Sequence, residues 1–235
     1  MDAGAPLGDV EGVHASVSTA CRGIRTLTAE LGLSGHAGRE RLRGRVVAGL
    51  TRDGSMRLEG VAPFGPPAFI LAARAGVSVL LLPRDARVLR GARAEDVLGA
   101  LTGVTFGPAD LLAILDGCVV PSPTATAGRL HTNGWASIDL VGGRLYLQRR
   151  DGAWRVRAAH RDGWQIEYVP GAGPLPQSVR LWAGGPAVMV DLAVALSQVE
   201  TNVNLDDTAF DVAVPDTAEA VTLEELRRNG PLGAR

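Results

Sequence analysis

Apolar and polar residues alternate with a period of two along most of this chain, and the alternation restricts it to a mainly β fold. It is clearest over residues 42–50, 56–60 and 164–169. Glycine-containing pairs such as Asp151-Gly152 and Asp162-Gly163 separate such segments. Intervals of about 8 to 12 residues between turn signals are typical of antiparallel hairpins. The pattern predicts about eleven antiparallel strands.

Helical periodicity replaces this pattern in two regions and divides the chain into parts. The expected parts are an N-terminal helix over 10–28, a first strand set over 29–90, lid helices over 94–117, a second strand set over 129–200 and a C-terminal extension over 205–235. Together they are interpreted as one domain that spans residues 1–235.

The strand count also predicts the shape of the interior. An antiparallel sheet of about eleven strands tends to curl, and the helices are then expected to lie across its mouth. Only 4% of the residues are aromatic and 30 are glycine, so few large side chains can plug the interior. A curled sheet lined by Ala, Val and Leu is expected to keep an apolar cavity suited to an acyl chain. An interior filled by layers of Leu and Ile is the alternative.

Composition and motifs argue against several kinds of chemistry. All 24 basic residues are arginines, so no lysine can form a Schiff base or a phosphate-binding loop. A net charge of -1 without a clustered basic patch argues against nucleic-acid binding. The sequence has no hydrolase, metalloprotease or dinucleotide-binding motif. We therefore expect a protein that is not an enzyme and uses no cofactor and no metal.

The histidines do not form a metal-binding pattern. His14, His36, His131 and His160 are scattered, without the spacing of metal ligands, and each is predicted at the surface or the rim.

The loop over residues 62–67, with the sequence APFGPP, is unusual for a connection between strands. Prolines on both sides restrict Phe64, where a hairpin normally carries polar residues. An exposed aromatic ring lowers solubility unless a partner or a membrane receives it. Phe64 is therefore predicted either to be presented to a partner or to fold back as a lid on the core.

Two cysteines lie in the helical parts. Cys21 falls in the first helix and Cys118 ends the middle helical segment. A disulfide would be permitted in an oxidising compartment if both helices lie over the same opening. Two buried free thiols are the alternative.

The order of short motifs over about residues 29–120 resembles the LolB family of outer-membrane lipoprotein receptors. The motifs are Arg57-Leu58-Glu59 leading into Ala62-Pro63-Phe64-Gly65, then Asp96-Val97-Leu98, Leu101-Thr102-Gly103-Val104, Pro108, Leu111-Leu112 and Leu115-Asp116-Gly117. The resemblance implies an incomplete antiparallel β-barrel with an α-helical lid over an apolar cavity that accepts lipoprotein acyl chains.

The same resemblance implies roles for particular residues. Pro63, Phe64 and Gly65 would form a loop that inserts into the membrane. The acyl-chain cavity is expected to be lined by Leu42, Val46, Met56, Leu58, Phe69, Leu71, Leu80 and Ile114. Burial of each methylene is worth roughly 0.8 kcal/mol in the cavity of the carrier or of the receptor, so transfer between them is nearly isoenergetic. Such a transfer needs no acid–base groups.

Partners and location follow from the family in the same way. A periplasmic carrier of LolA type would hand over the acyl chains, and the inner leaflet of the outer membrane would receive them. The first eight residues have no basic and no apolar region of a secretory signal, which alone predicts a cytosolic protein. The resemblance instead implies a monomer on the periplasmic side of the outer membrane, lipid-anchored through its precursor.

Two other functions stay open. The protein could carry or sense a lipid or glycolipid without inserting it into a membrane. It could also be an envelope scaffold protein with a filled barrel, in which Phe64 docks a protein partner.

Overall fold

Fifteen strands and four α-helices make up the part of the chain that this computed structural model describes, residues 2–118, 124–184 and 189–229. The strands are β1 (Ala5–Pro6), β2 (Thr26–Ala37), β3 (Glu40–Thr51), β4 (Met56–Val61), β5 (Ile70–Arg74), β6 (Val77–Leu82), β7 (Arg87–Arg90), β8 (Ala125–Leu130), β9 (Trp135–Leu140), β10 (Gly143–Arg150), β11 (Ala153–Arg161), β12 (Trp164–Pro170), β13 (Pro176–Gly184), β14 (Met189–Thr201) and β15 (Glu219–Ala220). The helices are α1 (Val10–Arg22), α2 (Ala94–Thr102), α3 (Pro108–Leu115) and α4 (Leu223–Asn229), with a 3-10 helix at Asp207–Phe210. The predicted mainly β class with helices is confirmed, with fifteen strands in the described residues rather than the predicted eleven or so, because short strands such as Ala5–Pro6 and Glu219–Ala220 add to the count.

The chain divides into two units, each built from two stretches of sequence. The first unit comprises Met1–Gly23 and Ala113–Gly185, and the second comprises Ile24–Leu112 and Pro186–Arg235.

The strands of the first unit follow one another in the order β1-β8-β9-β10-β11-β12-β13. Their printed pairings are all antiparallel. Helix α1 contacts β8 and β11 and buries Val13 and Val17. Asp9 begins the helix by accepting a hydrogen bond from the Gly12 amide at 2.9 Å, which satisfies one of the free N–H groups of the first turn.

Two hairpins of the first unit turn where the sequence predicts them. Asp151 and Gly152 have φ of 51° and 76°, and Asp162 and Gly163 have φ of 49° and 83°. Positive φ at both central residues defines the type I′ turn, whose twist matches that of the flanking strands. The register of β10, β11 and β12 is therefore fixed locally.

The second unit has the strand order β14-β2-β3-β4-β5-β6-β7-β15. These strands pair antiparallel except β15, which lies parallel to β7. Leu58, Leu71 and Leu80 stand opposite one another on β4, β5 and β6. Because side chains alternate between faces along a strand, this row lies on one face of the sheet. Helix α2 contacts β5 and β6.

The element boundaries differ from the expected ones in places. The N-terminal helix ends at Arg22 rather than at residue 28. Leu27, whose spacing fits the helical stripe, instead pairs with Leu50 inside β2 and is fully buried. Thr26 and Thr28 flank it, and β-branched residues favour a strand.

The other boundaries move less. The lid region of 94–117 is two helices. The first is capped after Thr102 by Gly103, whose φ of 77° is left-handed. The first strand set runs over 26–90 and the second over 125–201.

Candidate functional site

Phe64 projects from the loop between β4 and β5. Its side chain is 88% exposed, the highest value among the large hydrophobic residues that the structure describes as exposed. The ring therefore does not fold back as a lid on the core. A ring this exposed is available for contact with a membrane or a protein partner.

The loop conformation is held from two sides. The Arg84 guanidinium donates a hydrogen bond to the Phe64 carbonyl oxygen at 2.8 Å. Gly65 has a φ of 76°, which a residue with a side chain rarely adopts. Pro63 and Pro66 restrict the backbone on either side of the pair. Phe64 is thus presented by a restrained loop rather than by a free one.

Seven of the eight residues expected to line the acyl-chain cavity belong to the second unit, and their spacing along β3, β4, β5 and β6 places them on one face of its sheet. They are Leu42, Val46, Met56, Leu58, Phe69, Leu71 and Leu80. The eighth, Ile114, lies in α3 and in the first unit, where it is fully buried. The predicted set is therefore a shared face plus one residue of the other unit.

Three of these residues are packed rather than arranged around open space. Met56, Leu71 and Leu80 have 0% exposed area, so no water-sized space adjoins their side chains. Leu42 and Phe69 are half-buried. The Phe69 ring lies over Gly60, where an added Cβ would come within 2.6 Å of it. An acyl chain would have to open a space on this face.

The C-terminal extension packs on the second unit. The 3-10 helix contacts β4 and β5, and the Arg57 guanidinium donates a hydrogen bond to the Asp211 carbonyl oxygen at 2.7 Å. Helix α4 contacts α2. Residues 230–235 of the predicted extension lie outside the described residues.

Helix α4 begins with a capping box. The Thr222 hydroxyl accepts from the Glu225 amide at 3.2 Å, and the Glu225 carboxylate accepts from the Thr222 amide at 2.8 Å. These reciprocal bonds satisfy two free donors of the first turn. Backbone and side-chain hydrogen bonds from Thr222 lower the pKa of Glu225.

Cys21 and Cys118 are joined by a disulfide within the first unit. Their Cα atoms are 5.3 Å apart, and 97 positions separate them in the sequence. Of the two alternatives for this pair, the structure contains the disulfide and not two free thiols.

Sequence reasoning missed a hydrogen-bonded chain in the first unit. His131 Nδ1 lies 2.9 Å from Asp2 Oδ1, and His131 Nε2 lies 3.0 Å from the Ser137 hydroxyl. His131 and Ser137 are buried, and the Thr132 amide also donates to Asp2 at 3.2 Å. The order of groups is that of a hydrolase triad, but the buried Ser137 hydroxyl has little access to a substrate. These hydrogen bonds instead hold the N-terminal segment against the sheet.

Two histidines are placed differently from the prediction. His14 and His131 are buried rather than at the surface or the rim. Their surroundings depend on pairings between segments far apart in sequence, which spacing alone does not reveal.

Buried polar and charged groups recur in the first unit. Burial raises the pKa of Tyr168 well above its usual value, so its hydroxyl keeps its proton. Desolvation lowers the pKa of Arg157, with a smaller contribution from the nearby positive charge of Arg150.

The residues described contain no cluster of three or more metal-ligating side chains. In the part of the chain that is described, no helix is both long and apolar enough to cross a bilayer.

No protein-family model matches the chain, and no curated protein matches it. Two crystal structures are similar in fold. A domain described as an outer membrane lipoprotein-sorting protein from Vibrio parahaemolyticus has a TM-score of 0.53 at 9% identity and covers 86% of this chain and 97% of its own length. A LolA superfamily protein from Nitrosomonas europaea has a TM-score of 0.52 at 10% identity, with 85% and 98% covered.

Identities this low establish similarity of fold. The chain is therefore similar in fold to a LolA superfamily protein and to a lipoprotein-sorting domain over most of its length, which agrees with the expected fold class.

Proposed function

We propose that this protein binds the acyl chains of lipoproteins on the leucine-rich face of the second unit and passes them to a membrane through the loop of Pro63, Phe64 and Gly65. This is the role of a LolB-type receptor, which takes its cargo from a periplasmic carrier of LolA type. The exposed Phe64 ring, 88% accessible on a restrained loop, carries the proposal. Similarity of fold to a lipoprotein-sorting domain supports it.

The apolar face offers a suitable surface for a hydrocarbon chain. Leu58, Leu71 and Leu80 form a continuous apolar row across three strands. Burial of each methylene against such a surface is worth roughly 0.8 kcal/mol. Because these residues are packed, binding must displace part of what covers them, and α2 is the element that contacts β5 and β6. Binding is therefore expected to loosen α2 from the sheet.

Binding and delivery can be tested separately with a tripalmitoylated lipopeptide. Native mass spectrometry of the complex should show one bound lipopeptide. Transfer is then followed into vesicles of phosphatidylethanolamine and phosphatidylglycerol. The proposal predicts that Phe64→Glu keeps binding but loses most of the transfer, because a charge at the tip opposes insertion.

Two matched variants control this experiment. Phe64→Leu keeps an apolar tip and should transfer normally. Met189→Glu places the same charge on another exposed apolar side chain, which is 67% accessible, and should also transfer normally. Normal transfer by Phe64→Glu would remove the role of the loop, and absence of a bound lipopeptide would remove the proposed cargo.

A scaffold function has one observation in its favour. Met56, Leu71 and Leu80 are fully packed, as expected for a filled interior. In that case Phe64 would dock a protein partner. Failure of the unchanged protein to bind the lipopeptide would favour this alternative.

A further inference from the structure

The sheet of the first unit carries a pocket of about 260 Å³. Three aromatic and three polar side chains contribute to its lining: Trp135, Tyr146, Trp182, His160, Gln165 and Glu167. These residues alternate along their strands with buried ones such as Leu145 and Leu181. The pocket therefore opens on the face opposite the buried side of this sheet.

A small residue makes the depression. Ala158 on β11 stands opposite Tyr146 on β10 and Glu167 on β12. Adjacent strands are about 4.8 Å apart, so the backbones of Tyr146 and Glu167 are separated by roughly 10 Å with only a methyl group between them. The neighbouring large side chains stand up around this gap.

The next row across the sheet supplies the polar wall. His160 stands opposite Gln165, and Gln165 stands opposite Trp182. The His160 ring meets the edge of Tyr146 with ring centres 5.5 Å apart. His160 and Gln165 are exposed and Trp182 is half-buried. Their polar groups therefore face solvent beside an aromatic surface.

This combination suits a ligand with flat apolar faces and polar edges. Aromatic rings pack against flat C–H surfaces, while a few placed amide, imidazole and carboxylate groups fix orientation by hydrogen bonding. The pocket volume lies just below the range of roughly 300 to 1,000 Å³ that drug-sized ligands occupy. A ligand of one or two six-membered rings matches that size.

The charges around the pocket disfavour an ionic ligand. The Arg180 guanidinium lies 5.2 Å from the Trp182 ring centre and stands opposite Glu167 across the strands. Arg144 stands opposite His160 and forms an ion pair with Asp139, so a second guanidinium and its partner carboxylate lie beside the pocket. These cations oppose a quaternary ammonium, and Glu167 opposes an anion.

The geometry points to a saccharide-binding site on this face, which would take one or two neutral pyranose rings stacked on Trp135, Tyr146 or Trp182. The side chains of Gln165 and Glu167 would form hydrogen bonds with the sugar hydroxyl groups. This site belongs to the first unit and does not depend on acyl-chain binding in the second.

Titration with disaccharides tests the site directly. Tryptophan fluorescence of the full chain is followed with maltose, cellobiose, chitobiose and mannobiose, and with choline as a cationic comparison. At least one disaccharide is expected to bind with a dissociation constant between roughly 10 µM and 1 mM, because a small ligand on an open pocket gains limited contact.

Three variants identify the pocket as the place of binding. Trp182→Ala should weaken binding roughly tenfold through loss of stacking. Ala158→Ile fills the depression with a residue that favours strands, and should abolish binding. Trp154→Ala is the matched control, because Arg149 lies 5.0 Å from that ring centre in a similar contact, and Trp154 does not line the pocket.

Several outcomes would overturn the assignment. One is no response to any of the four disaccharides up to roughly 20 mM, far above the expected range. Binding that persists unchanged in Ala158→Ile would place the ligand elsewhere. Binding of choline alone would show a cation site. Phe64→Glu should bind disaccharide normally. Loss of acyl transfer in this variant would therefore say nothing against the saccharide site.

Discussion

The two units differ in the kind of aromatic residue they contain. All four tryptophans and both tyrosines lie in the first unit, whereas all four phenylalanines lie in the second. Tryptophan and tyrosine carry a polar group that can hydrogen-bond, and phenylalanine does not. The first unit can therefore combine aromatic packing with hydrogen bonding, whereas the aromatic contacts of the second unit are apolar.

Among the described residues, the buried histidine and carboxylate side chains follow the same division, whereas Thr51, Ser55 and Ser78 are the buried polar residues of the second unit. His14, Asp116 and His131 are buried in the first unit. In the second unit the buried row of Leu58, Leu71 and Leu80 is purely apolar. Because all tryptophans are in the first unit, tryptophan fluorescence reports on that unit, and amide exchange of individual strands reports on the other.

The largest effect is expected from removal of the disulfide. Cys21→Ala with Cys118→Ala opens a covalent loop of 97 positions, and a disulfide that closes a loop of this length stabilises by about 4.7 kcal/mol in the chain-entropy model. Urea unfolding followed by tryptophan fluorescence should show this loss. Reduction of the unchanged protein should reproduce it, and an unaltered midpoint would contradict it.

The next largest effect is expected from Leu71→Ala in the second unit. Leu71 has 0% exposed area, and loss of such a side chain costs about 2 to 5 kcal/mol. Amide exchange of β4, β5 and β6 should become faster. Val77→Ala, at a side chain that is 56% exposed, should leave exchange nearly unchanged. Equal effects of the two variants would show that the leucine row is not a packed core.

A smaller effect is expected from Thr222→Ala at the start of α4. Loss of the capping box costs about 1 kcal/mol. Exchange in α4 and in α2, which it contacts, should become faster. Thr222→Ser retains the hydroxyl and should restore protection. If α2 is unaffected, the extension does not support that helix.

The smallest effect concerns acid titration in the first unit. Hydrogen bonds from Thr132 and then His131 lower the pKa of Asp2 from 3.8 to about 2. A carboxyl group whose pKa is lower in the folded state stabilises the folded protein above about pH 4. This stabilisation is lost as the pH falls from about 4 towards 2. Asp2→Asn should remove this part of the pH dependence of unfolding.

The control for that titration is Asp85→Asn, which changes an exposed carboxylate in the turn after β6. It should leave the pH dependence as in the unchanged protein. An NMR titration of the Asp2 carboxyl with a midpoint near 3.8 rather than about 2 would contradict the hydrogen-bonding account.

The strand-rich class could be predicted because it depends on neighbouring residues, whereas the residues around Phe64 left two positions of its ring open. Alternation and Asp-Gly turns are local signals, and the prolines around Phe64 restrict it wherever the rest of the chain lies. Leu27 shows the limit of such signals. Its spacing fits a helix, but pairing with Leu50 determines its place.

The pocket could not be predicted in the same way. Ala158 matters because Tyr146 and Glu167 stand on either side of it, and only strand register reveals this. The Asp2 to His131 contact likewise joins residues 129 positions apart. The packed state of Leu71 and Leu80 depends on what covers the sheet, which spacing does not show.

The pairing of β2 with β14 has a consequence for synthesis of the chain. β2 is made early, but the strand that covers one of its edges runs from Met189 to Thr201. A ribosome must therefore translate most of the message before that edge is closed. Until then a long unpaired edge is available to other chains, so the nascent polypeptide is expected to need a holding chaperone.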